Sequence, residues 1–124
     1  MATIRYLVAD VDASIKFYEL LGFSLKDRWG PPFAIVSRSD LDLWLSGPGT
    51  SAAKPMPDGR KPGPGGWNRF VIGVDDLEAT VARMKSARAT ILVEAVRGPA
   101  GQQALVSDPS GNPVELFERS KDEG

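Results

Sequence analysis

The sequence predicts an α+β protein made of two tandem βαβββ modules, and three observations predict it. A strand-to-helix stretch occurs twice: Val8-Ala9-Asp10-Val11-Asp12-Ala13-Ser14-Ile15 returns 66 residues on as Val74-Asp75-Asp76-Leu77-Glu78-Ala79-Thr80-Val81, alike in chemical type at every position but the second. Alternating Ile4, Tyr6 and Val8 lead into the first copy as Phe70, Ile72 and Val74 lead into the second. Three short β-prone runs, divided by turn-forming clusters, then follow each copy.

Both helices have a mechanism for starting where they do. Asp10 and Asp76 stand at N-cap positions, where a carboxylate accepts the free N–H groups of the first turn, and Asp12 and Glu78 add negative charge at the positive end of the dipole. Apolar side chains follow at Val11, Ile15 and Tyr18, and again at Leu77, Val81 and Met84, the i, i+4, i+7 spacing of a one-sided helix. Gly22 is placed to end the first helix; Lys85 and Arg88 suit the negative end of the second, which runs from Leu77 to about Arg88.

In the first module, Phe23 to Lys26 and Phe33 to Ser37 read as strands on either side of Trp29-Gly30-Pro31-Pro32. Leu41, Leu43 and Leu45 alternate with Asp42, Trp44 and Ser46, so the leucines turn to the helix and Trp44 stands on the opposite face. In the second module the expected strands are Trp67 to Val74, Thr90 to Val93, Gln102 to Val106 and Val114 to Phe117, the last two separated by the turn Asp108-Pro109-Ser110-Gly111-Asn112-Pro113.

Residues 1–124 are read as one domain: module one over 1–47, a Gly/Pro/Ser-rich linker over 48–66, module two over 67–119 and a frayed polar tail over 120–124. The linker is either a solvated connection or a loop closing over a ligand, and Met56 is its one large apolar side chain. A hydrophobic share of 42% with 25% charged residues is that of a folded globular chain, and excludes wholesale disorder. A net charge of -1 and no Lys/Arg-rich run argue against nucleic acid or a membrane surface as a partner. With no cysteine there is no disulfide, thiol nucleophile or cysteine metal site. No apolar run reaches the length of a signal or membrane span, so a cytoplasmic location is the expectation.

The duplicated βαβββ unit, with V-x-D at each helix start and the closing Asp108-Pro109-Ser110-Gly111-Asn112-Pro113-Val114-Glu115-Leu116, resembles the vicinal oxygen chelate superfamily. That group includes glyoxalase I, extradiol dioxygenases, and fosfomycin- and bleomycin-resistance proteins. The resemblance implies the glyoxalase/bleomycin-resistance fold, curled mixed sheets around a shared cavity, in a homodimer. It also implies a divalent metal held by one residue from the first and one from the last strand of each module. Those positions here are Thr3, Trp44, Arg69 and Glu115, of which Glu115 alone is a usual ligand type.

With no histidine and no cysteine, the expectation is a protein without metal or cofactor that binds and sequesters a hydrophobic or aromatic small molecule, an antibiotic among the candidates. The alternative is a metal-dependent lyase or dioxygenase of the glyoxalase kind, using Glu115. Trp44 presents a flat face for a ligand, with Trp67, Phe33, Trp29 and Phe117 as further aromatic lining; Trp44 also has a reading as core packing, and Trp29 and Trp67 as loop staples or dimer contacts. Arg69 either pairs with Glu115 or meets a ligand oxygen, and Glu115 is either that paired carboxylate or a general base. Thr3, Arg5, Asp42, Gln103 and Met56 complete the candidate ligand contacts, with cross-strand or solvated roles as the alternative for the polar ones.

Overall fold

The computed structural model describes residues 2–120. The chain divides into two compact units, one up to Gly65 and one from Gly66 onward. Each holds one helix against one four-stranded mixed sheet, an α+β arrangement built from the repeated unit.

The first unit runs β1 (Ala2–Leu7), α1 (Val11–Leu20), β2 (Ser24–Arg28), β3 (Phe33–Arg38) and β4 (Leu41–Ser46). The sheet order is β1-β4-β3-β2, with β1 parallel to β4 and the other pairs antiparallel. Asp10 Oδ1 accepts from Ala13 N at 3.0 Å, as the sequence predicts, and Gly22 follows the helix at φ 91°, a left-handed turn that glycine adopts without penalty. Val11, Ile15 and Tyr18 of α1 are buried, and so are Leu43, Leu45, Ala34 and Val36 of the sheet. Tyr18 packs edge-on against Phe17 at 4.9 Å and Phe23 at 5.5 Å, adding aromatic contact to the apolar burial. The leucine parity of β4 is therefore as expected.

The second unit runs β5 (Val71–Gly73), α2 (Leu77–Ser86), β6 (Thr90–Gly98), β7 (Gly101–Ser107) and β8 (Pro113–Arg119), in the order β5-β8-β7-β6. The cap is duplicated in detail. Asp76 Oδ1 accepts from Ala79 N at 3.0 Å, and Thr80 Oγ1 donates to Asp76 O as Ser14 Oγ donates to Asp10 O. Glu118 adds a cap that the sequence did not signal, its Oε1 accepting from Leu77 N at 2.7 Å. In the turn after β7, Asp108 Oδ1 takes the N–H groups of Ser110 and Asn112, and Oδ2 takes the Asn112 amide at 3.0 Å. The most specific motif of the sequence is thus a turn scaffold.

Several boundaries differ from expectation. The strand expected over Trp67 to Val74 is regular only over Val71–Gly73, because Gly65 and Gly66 turn at φ 104° and 99° just before it and β5 pairs on one side only. Single bonds, Glu115 N to Phe70 O and Val74 N to Phe117 O, extend that pairing at each end. Helix α2 stops at Ser86, with Arg88 in the left-handed region at φ 65°. Strand β6 reaches Gly98 rather than Val93, since register shifts beyond Ile91 and Val93 interrupt the alternation that marks a strand. In the linker, Ser51–Ala53 form a 3-10 turn. Of the expected frayed tail, Ser120 is fixed by a bond from its N to Ala100 O, and 121–124 lie outside the described residues. No described helix is long and apolar enough to cross a membrane.

Candidate functional site

In each unit the sheet face opposite the helix carries most of the candidate residues. On the first unit, cross-strand register sets Arg5 beside Trp44, Trp44 beside Ile35 and Ile35 beside Asp27, in one row. The Arg5 guanidinium lies 5.0 Å from the Trp44 ring centroid, and its Nη1 donates to Ser46 Oγ at 3.1 Å. Phe33 meets Trp44 edge-on at 5.9 Å, and Trp29 tilts against Phe33 at 5.5 Å. Trp29 remains 65% exposed, its indole N–H fixed by Asp27 Oδ2 at 2.7 Å. These side chains form a continuous aromatic strip ending in a cation.

Thr3 is exposed on the same face, in register with Asp42. Asp42 has its carboxylate engaged within the sheet. It is only 6% exposed, with Ser37 Oγ donating to Oδ1 at 2.5 Å and Lys26 Nζ to Oδ2 at 3.0 Å. These two donors hold its carboxyl below the usual carboxylate range. Lys26 reaches it because β2 bulges between Leu25 and Asp27, which puts an extra residue opposite the regular strand.

Along the same two strands, Leu7 and Ser46 line a pocket of about 300 Å³, whose other walls include Ala53 and the linker residues Lys61 and Pro64. A larger open cleft of about 420 Å³ lies at the start of α1, but each nitrogen of its one basic residue, Arg28, already bonds Asp12 or the carbonyls of Gly30 and Pro31.

On the second unit, Arg69 and Glu115 form an ion pair. Arg69 Nε and Nη2 lie 3.1 and 3.0 Å from the same oxygen, Oε1, and the two side chains are 33% and 15% exposed. This resolves one open alternative: the Arg69 fork is held by Glu115. The pair walls a small pocket of about 70 Å³, with Val93, Val96, Gln103 and Leu105 around it. That volume is well under the ~300 Å³ at which sites for drug-sized ligands begin. Phe117 is half-buried in register with Gln103. Trp67 is 77% exposed, and Met56 lies on the exposed linker, its N bonded to Arg60 O. Neither Trp67 nor Met56 lines a pocket described above.

Sequence reasoning missed Ser46, Lys61, Val93, Val96 and Leu105 as wall residues. Strand parity signals Ser46 and Leu105, which share a sheet face with Trp44 and Glu115 respectively. The bulges of β6 hide the valines, and Lys61 sits in a segment with no period.

Residues 1–116 match the family described as Glyoxalase/Bleomycin resistance protein/Dioxygenase superfamily. The chain belongs to this superfamily. It is the vicinal oxygen chelate group that the duplicated unit resembles. "Putative glyoxylase CFP32" of Mycobacterium tuberculosis is 31% identical over 115 residues, 90% of this chain; the chain spans 42% of the length of that relative. Among solved structures, TnmS3, an antibiotic binding protein from Streptomyces sp. CB03234, is 27% identical with a TM-score of 0.72, covering 95% of this chain and 93% of its own. Lactoylglutathione lyase from Agrobacterium tumefaciens shares the fold at a TM-score of 0.73 and 20% identity, over 95% of this chain and 92% of that one.

The side chains at the four positions where superfamily resemblance implies metal ligands do not fit a divalent ion. In the first unit Thr3 offers a weak hydroxyl, and Trp44 has an indole with no lone pair to give. In the second, Arg69 holds a guanidinium 3.0 Å from Glu115 Oε1, so a cation at that carboxylate would meet a positive charge beside it. Among the described residues no three His, Cys, Asp or Glu side chains come together in a group able to hold a metal.

Proposed function

We propose that this superfamily member binds and sequesters a hydrophobic or aromatic small molecule without a metal, with an antibiotic among the ligands it suits. The observation that carries the reading is that the implied metal positions hold Thr3 and Trp44 in one unit, Trp44 continuing into an aromatic strip with Phe33 and Trp29, and in the other hold Arg69 ion-paired to Glu115. An indole face and edge-on phenyl ring favour flat apolar partners, and an ion-paired carboxylate is a poor cation ligand. Similarity to TnmS3, described as an antibiotic binding protein, supports the same direction. We also propose that the chain is a homodimer with no nucleic-acid or membrane partner and acts in the cytoplasm. Leu92, Val93 and Val96 on edge strand β6 are exposed apolar side chains suited to a partner surface.

The test is a tryptophan-fluorescence titration of the full chain with bleomycin and a panel of neutral and charged fused-ring aromatic compounds. Quenching that saturates is expected for at least one compound, and Trp44→Ala is expected to weaken it about tenfold through loss of the stacking face. Binding that survives Trp44→Ala unchanged, or no binding across the panel, contradicts the reading. The 31% identity to "Putative glyoxylase CFP32" favours a second reading, a metal-dependent lyase or dioxygenase that uses Glu115. Near-stoichiometric zinc, nickel, iron or manganese in the purified protein would support that one.

A further inference from the structure

Charge is unevenly placed on the aromatic face of the first unit. Asp42 is matched there by Lys26, with an N–O distance of 3.0 Å, while Arg28, in register with buried Ala34 on the helix side, is matched by Asp12 of α1. Arg5 has no carboxylate partner among the described residues: its contacts are the Trp44 ring and one hydroxyl, that of Ser46. Most of its guanidinium fork is therefore left for water or a ligand. Asp27, the other carboxylate in that row, stands three strands away, about 14 Å at the usual strand spacing. That exceeds the screening length of about 8 Å at physiological salt.

The hydroxyl that Arg5 holds belongs to a residue lining the pocket of about 300 Å³, and a second cation without a carboxylate partner among the described residues, Lys61, stands in the same pocket wall. Arg69 on the second unit is instead neutralised by Glu115. A neutral ligand on Trp44 would leave the Arg5 charge partly desolvated and unpaired, whereas an anionic one would take a charge-assisted bond from it.

We infer that the ligand is an acidic aromatic compound, a fused or single ring bearing a carboxylate, sulfonate or comparable anion, with the ring against Trp44 and the anion on Arg5. The inference rests on the aromatic-binder reading above and narrows it to one charge class. The body of the compound extends toward the Leu7–Ser46 pocket, whose apolar walls and adjacent Lys61 suit the same chemistry.

The experiment compares 2-naphthoate with 2-naphthamide, isosteric rings that differ in charge at neutral pH, by calorimetric or fluorescence titration of the full chain at low and high salt. Naphthoate is expected to bind at least about tenfold more tightly, with the ratio shrinking as salt rises. Arg5→Gln is expected to bring the ratio close to one, and Arg5→Lys, which keeps the charge, to retain most of it; thermal melts of both variants check that β1 still folds. Equal affinity of the wild-type chain for the two compounds overturns the anion inference and leaves the aromatic-binder reading standing. A preference that Arg5→Gln retains overturns the assignment to Arg5. Failure of both naphthalenes, together with the whole panel above, overturns the inference and the reading beneath it.

Discussion

Asp42 sits between Ser37 and Lys26 with its carboxyl held below the ordinary range, and this makes its contribution to stability depend on pH. A group whose folded pKa is depressed stabilises the fold at pH above its unfolded value, about 3.9, and that stabilisation disappears as pH falls through the folded value. Asp42→Asn is therefore expected to lower the melting temperature by a few degrees at pH 7 and to converge with wild type as pH falls through the depressed folded value. Circular-dichroism melts from pH 7 to pH 2 check this; a difference constant across that range contradicts it. Parity alone placed Asp42 on the face away from the helix. Its partner Lys26 was not legible, because it enters through a bulge, and an extra residue in one strand leaves no mark in a period-2 pattern. Arg69 and Glu115 were both visible as candidates, but choosing their pairing over a free arginine required coordinates, since the two lie 46 residues apart.

Helices were the most legible elements, because caps and i, i+4 stripes are local: an aspartate that accepts the N–H three residues on is written in four consecutive letters. Strands were legible where one face is buried, as in β4, and illegible where the ladder bends, as in β6. The hairpin joining β6 and β7 gives a test of this geometry. Gly101 opens β7 at φ 151°, where a Cβ would stand 2.1 Å from Glu118 O and 3.0 Å from Glu118 C, backbone atoms that cannot rotate away. Gly101→Ala should therefore force β7 from β8 and cost about 3 kcal/mol. The matched control is Gly63→Ala, where nothing lies within 4 Å of the added atom and the expected change is within about 0.5 kcal/mol. Urea unfolding of the two variants checks the contrast; comparable stability of both would show that the hairpin relaxes freely.

At the scale of the whole chain, one βαβββ plan is used twice, and the two copies have diverged on the faces away from their helices while keeping the helix-facing core. Matching caps, matching sheet orders and buried Leu43, Leu45, Val114 and Leu116 preserve the fold. Thr3 and Trp44, the latter with Arg5 beside its ring, in one copy, and Arg69 with Glu115 in the other, stand where the superfamily resemblance implies metal ligands. The loss of those donors was legible in the sequence because it is a matter of composition, with no histidine and no cysteine anywhere in 124 residues. Linker walls such as Lys61 were not, because a Gly/Pro-rich segment without a period does not reveal which side chains it turns inward. The central claim is that ligand binding proceeds without a divalent ion, and the most direct measurement of it is the dissociation constant of a binding aromatic compound in excess chelator and again with saturating zinc or manganese. The constant is expected to be the same in both; binding that vanishes with chelator and returns with the metal would contradict the account.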